Sequence, residues 1–140
     1  MAPRAIPTRR EGPGSGAQFR RKAEEFLRAA MANIGDRRWN AAALSAIHAA
    51  IAGADAALVF AKGIRSTSQR HEDVVDLLRT AMPEVTPVLP HLRRVLAKKH
   101  LVEYESRLFS ETEARELVRH AERFLAWTRT RTATSGPAQT

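Results

Sequence analysis

The stretch from Trp39 to Leu78 constrains this chain more than any other. At its centre is the run Ala46-Ile47-His48-Ala49-Ala50-Ile51-Ala52-Gly53-Ala54-Asp55-Ala56. Alanine is the strongest helix former, so the run predicts a long helix. Its small side chains let neighbouring helices approach closely. Gly53 sits mid-helix at a cost of about 1 kcal/mol relative to Ala, and it marks a point of tight helix contact. His48 and Asp55 stand two turns apart and fall on roughly one face. Polar groups on such a helix need partners or a cleft.

The rest of the pattern is helical too. Phe19, Ala23, Phe26, Leu27, Ala30, Met31 and Ile34 recur at spacings of three and four, predicting a first helix over 18–34 that Gly35 stops. The second helix is expected over 37–62, capped by Asp36 and ended by Gly63. A short third helix over 69–81 buries Val74, Val75, Leu77, Leu78 and Ala81. Thr86-Pro87 starts a fourth over 87–108, with Pro90 still in its first turn. Ser110-Glu111-Thr112-Glu113 is a capping box, opening a fifth helix over 111–129. Short connections between long amphipathic helices imply antiparallel neighbours. The expected fold is therefore all-α, an up-and-down bundle of about five helices with no strand. Residues 1–16, with Pro, Gly and Arg, read as a disordered basic arm, residues 17–130 as the bundle, and 131–140 as a disordered tail.

The net charge of +8 points to an acidic partner, most simply nucleic acid. An Arg- and Ala-rich composition fits a GC-rich genome equally well, without functional meaning. The chain has no cysteine, which excludes disulfides and thiolate catalysis and agrees with a cytoplasmic location. No apolar run reads as long enough for a membrane span, and the basic N-terminus lacks the hydrophobic segment of a secretory signal. The histidines are scattered, with no spacing that repeats, so no metal site is expected. No phosphate loop or nucleotide fingerprint is present, and no cofactor is expected.

Three segments, in this order and spacing, resemble the HEPN superfamily of small helical bundles. They are the Ala-rich helix with His48 and Asp55, the loop from Gly63 through Arg65 and Ser66 to His71, and the segment Lys98-Lys99-His100-Leu101-Val102-Glu103-Tyr104. Catalytic HEPN members are metal-independent ribonucleases with an Arg, four to six residues, then a His, and the site is usually completed across a dimer. The resemblance implies an Arg holding the scissile phosphate and a His transferring protons as the ribose 2′-hydroxyl attacks. In the register set by Tyr104, Lys98 stands at the Arg position and Glu103 at the His position. A Lys lacks the guanidinium fork, and a carboxylate is repelled by a phosphodiester.

Four other pairs match the loose spacing: Arg65 with His71, Arg93 with His100, Arg94 with His100, and Arg115 with His120. About two such matches are expected by chance. Arg93 and His100 would lie two turns apart on one face of the fourth helix, which makes them the best catalytic candidates; the competing reading is a solvated basic face. His48, Asp55, Arg65, His71, Lys98, Lys99, Glu103 and Tyr104 are the ligand-binding candidates. The leading expectation is a non-catalytic HEPN module, homodimeric, that binds RNA, a nucleotide or a protein partner. The family also implies a toxin–antitoxin or defence pair with a nucleotidyltransferase-like protein. The alternatives are a metal-independent endoribonuclease and a purely structural helical interaction domain.

Overall fold

The computed structural model describes residues 5–132. Six α-helices and one 3-10 turn form it, with two short strands: β1 (Thr8–Arg10), α1 (Ser15–Gly35), α2 (Trp39–Lys62), β2 (Ile64–Ser66), α3 (His71–Ala81), the 3-10 turn Pro83–Val88, α4 (Leu89–Leu96), α5 (Lys99–Tyr104) and α6 (Glu111–Thr132). The all-α bundle is as expected.

The hub is α2. Thirteen of its residues are buried, nine of them alanines, and α1 and α6 flank it. Gly53 is the point of closest approach. A Cβ added there would collide with Leu125 Cδ2 and come within 3.6 Å of Phe124 and Thr128, all on α6. Taken alone, α2 is long and apolar enough to cross a membrane, at a mean hydropathy of 1.7. This corrects the expectation that no apolar run would reach that length. However, 67% of that window is buried within the bundle, so its apolarity is accounted for by the core.

Polar contacts pin the outer layer. Arg129 on α6 donates from Nε to both oxygens of Glu24 on α1, at 3.1 and 2.7 Å. The capping box forms reciprocally, Glu113 N–H to Ser110 Oγ at 3.1 Å and Ser110 N–H to Glu113 Oε1 at 3.0 Å. Arg107 grips the same carboxylate with two bonds, at 3.0 and 2.8 Å. Arg107 first, and then the Ser110 amide, hold the Glu113 carboxyl down at about 2.

Three expectations need correction. The single helix over 87–108 is instead a 3-10 turn, α4, α5 and an extended segment. Arg94 and Lys98 are like charges four apart, which disfavours a continuous helix there, and the restart at Lys99 is supported by a Lys99–Glu103 bond of 2.7 Å. Beyond Tyr104 the chain extends so that Phe109, 3% exposed, reaches the core, with its N–H donating to Asn40 Oδ1 at 2.9 Å. The second correction concerns the arm. Thr8–Arg10 pairs antiparallel with Ile64–Ser66, in the register Thr8 to Ser66, Arg9 to Arg65 and Arg10 to Ile64. Gly63, at φ 67°, turns the chain out of α2 and into this pairing, so the no-strand expectation fails here as well. Third, α6 continues through Arg131 to Thr132, into the expected tail. Residues 1–4 and 133–140, which carry the remainder of the expected arm and tail, lie outside the described residues.

If the close approach at Gly53 governs packing, Gly53→Ala will destabilise the bundle by about 1–3 kcal/mol, despite the better helix propensity of Ala. Urea denaturation checks this; a stabilised variant would show that Leu125 yields freely.

Candidate functional site

A cavity of about 420 Å³ opens between α2, the β2–α3 loop, α4 and α5. Asp55 reaches it from α2, Arg65 from β2, His71 from the start of α3, and Lys99, His100 and Tyr104 from α5. Six of the ten residues singled out in the sequence thus converge on one cavity, although they come from four elements.

Its wall is built from local bonds. In the β2–α3 loop, Ser68 N–H donates to Ser66 Oγ at 3.1 Å, Ser68 Oγ–H to Asp73 Oδ2 at 2.5 Å, and Arg70 N–H to Ser68 Oγ at 3.0 Å. Asp73 is 5% exposed, so the loop is anchored to a buried carboxylate. Arg65 is aimed by the strand pairing: its Nε donates to Glu11 Oε2 at 3.0 Å, while Glu11 N–H donates to Gly63 O at 2.9 Å. The remaining guanidinium N–H groups of Arg65 have no hydrogen bond among the described residues.

Asp55 is the unusual group. It is 8% exposed and accepts no hydrogen bond among the described residues. Burial pushes its carboxyl up to about 7; Arg65 and Lys22 pull it down, and Glu11 pushes it further up. Opposite it, the cavity mouth is basic and aromatic. The His100 and Tyr104 rings meet at a tilt with centroids 5.3 Å apart, and His100 Nε2 lies 3.4 Å from Glu105 Oε1.

Four candidates lie elsewhere. Arg93 does not line the cavity; its Nε is 3.7 Å from Glu72 Oε1. Because the helix breaks after Leu96, Arg93 and His100 do not share the continuous helical face on which their pairing was argued. Glu103 is held by Lys99, and neither it nor Lys98 lines the cavity. His48 sits on the α1 side of α2, its ring 5.4 Å from that of Phe26. The looser pair Arg115 and His120 is also split. Arg115 donates to Glu111 at 2.8 Å and lies over Trp39.

His120 instead meets His91 of α4, Nδ1 to Nδ1 at 2.9 Å. Both imidazoles are held below their ordinary value, chiefly by burial and then by neighbouring cations and, for His120, by His91 itself. Nothing in the linear spacing of this pair announced it. Of the β2–α3 loop the sequence singled out Arg65 and His71 but not the intervening Ser66, Thr67, Ser68 and Gln69, which also line the cavity. Among the described residues no cluster of three or more metal-ligating side chains occurs.

This site lies within a recognisable domain. The sequence model of the HEPN domain matches residues 17–131. The chain belongs to the HEPN family. A comparison with curated proteins gives no match. The HEPN match runs from the third residue of α1 through all but the last residue of α6, whereas Thr8–Arg10 and Glu11, which aim Arg65, precede it.

Because the folded Asp55 carboxyl binds its proton more tightly than an unfolded one, stability falls as pH rises from about 4 through about 7. Asp55→Asn removes this penalty. It should raise stability at pH 8 by on the order of 4 kcal/mol, with the gain shrinking toward pH 4. Urea titrations of both proteins across that range test it; a pH-independent difference would mean that Asp55 is not held in this way.

Proposed function

We propose that this HEPN module binds RNA or a nucleotide in the Asp55 cavity and does not cleave it. The observation that carries the reading is convergence: Arg65 from β2, His71 from α3, and Lys99 and His100 from α5 all line one cavity. Four such groups around a concave site favour a phosphate-bearing ligand. The non-catalytic part rests on Lys98 and Glu103, which stand where catalytic members have Arg and His. Further support comes from Arg93, which is spent on Glu72 outside the cavity.

The module's proposed setting is a homodimer acting in the cytoplasm with a nucleotidyltransferase-like partner, as in toxin–antitoxin or defence pairs. Phe26 and Met31 on α1 remain 37% and 49% exposed, which supports an apolar contact on that side. Light scattering at micromolar concentration should therefore give twice the chain mass; a monomer throughout the accessible range would remove the dimer.

One observation favours the alternative, a metal-independent endoribonuclease: Arg65, His71 and His100 share the cavity, supplying a phosphate-binding cation and two imidazoles. Labelled single-stranded RNA in EDTA separates the readings. The expected result is binding without cleavage. Affinity should fall about tenfold between ~50 and ~200 mM salt and weaken in Arg65→Ala and Lys99→Ala. EDTA-resistant cleavage lost in Arg65→Ala, His71→Ala or His100→Ala would install the enzyme instead. Neither binding nor cleavage would leave a protein-interaction module.

A further inference from the structure

The cavity is polarised. Its deep end is lined by Asp55 together with Ala54, Leu92 and Leu96, exposed by only 8%, 1%, 0% and 3%. Its mouth carries the His100 side chain at 75% exposure, Tyr104 at 71% and the exposed His71. A ligand matching this gradient has an anionic end that stays near water and a flat, largely apolar end that goes in. The inner end must also bring hydrogen-bond donors, because a carboxylate nine-tenths buried with no donor among the described residues is costly to leave unmet.

We propose that the cavity is selective for guanine nucleotides: Asp55 accepts the paired N1–H and N2–H bonds of the base, and the phosphate lies among the basic groups at the mouth. This rests on reading the cavity as a nucleotide site and adds the identity of the base. The selection follows from donor geometry. A carboxylate offers two adjacent acceptors, and guanine is the common base whose Watson–Crick edge places two N–H donors side by side. Adenine and cytosine present a donor beside an acceptor on the same edge and would need the carboxyl protonated. Burial pushes the Asp55 carboxyl up to about 7 against the pull of Arg65, so at pH 8 it is mostly ionised and offers two acceptors. The apolar floor fits the faces of a purine. A ribose diol on Asp55 would instead leave that floor wet and turn the base outward.

The test is calorimetric titration of the full chain with GMP, AMP, IMP and XMP at pH 8, wild type against Asp55→Asn. Wild type should bind GMP at least about tenfold tighter than AMP, with IMP, which lacks the 2-amino group, between them. Asparagine offers one acceptor and one donor, complementary to the N1–H and 2-oxo edge of xanthine. Asp55→Asn should therefore lose GMP affinity and gain affinity for XMP, a gain that an unfolded variant cannot show. Equal binding of GMP and AMP with no exchange of preference in Asp55→Asn would overturn base recognition and leave the phosphate-binding cavity standing. Tighter binding of AMP than GMP would likewise overturn the guanine assignment. If no nucleotide binds, and Lys99→Ala leaves RNA affinity unchanged, the reading of the cavity itself fails and the guanine proposal with it.

Discussion

Everything in this bundle depends on how closely two helices can lie against α2. A helix surface of alanines with one glycine has little volume of its own, so neighbouring side chains must fill the space. Leu125 and Phe124 of α6 do so, against the bare backbone at Gly53. Close approach is favourable because dispersion contacts fall off steeply with distance. It also leaves little room for variation, since an added methyl at Gly53 requires Leu125 to move. The same helix carries Asp55 on the side turned towards α3, α4 and α5, and so one element sets both the core and the floor of the cavity.

How much of this was legible in the sequence differs by scale. The helix periods and the capping box at Ser110 hold in three dimensions because each is encoded locally, within one or two turns. The break between α4 and α5 was missed because apolar spacing continues through it. Val95 and Val102, seven positions apart, can be threaded onto one stripe, while the turn at Ala97 and Lys98 carries no Gly or Pro to mark it. The pairing of Thr8–Arg10 with Ile64–Ser66 was also invisible: three-residue strands have no period to detect, and their partners lie more than fifty positions apart.

The site divides in the same way. Asp55 and His71 were found because a polar residue on an alanine helix, or at a helix start, is conspicuous in one dimension. Arg93 was misleading because the argument for it assumed an unbroken helix. His91 and His120 went unnoticed as a pair because they come from α4 and α6, and only packing brings their imidazoles together. In a protein with this many arginines the informative question is which guanidinium groups are already engaged. Arg93, Arg107, Arg115 and Arg129 all have carboxylate partners elsewhere. Arg65 is also paired, but it keeps its terminal N–H groups free of bonds among the described residues.

The short β1–β2 pairing makes the order of the cavity depend on a segment that contributes almost nothing to the core. Three paired residues on an edge are held by few bonds, and such elements open in local fluctuations well before a helical core does. Each opening would release Glu11 from Arg65 and let the guanidinium swing while the helices stay intact. The cavity then has a tunable degree of preorganisation: whatever steadies Thr8–Arg10 lowers the entropic cost of capturing an anion, and whatever frays it raises that cost without unfolding the domain.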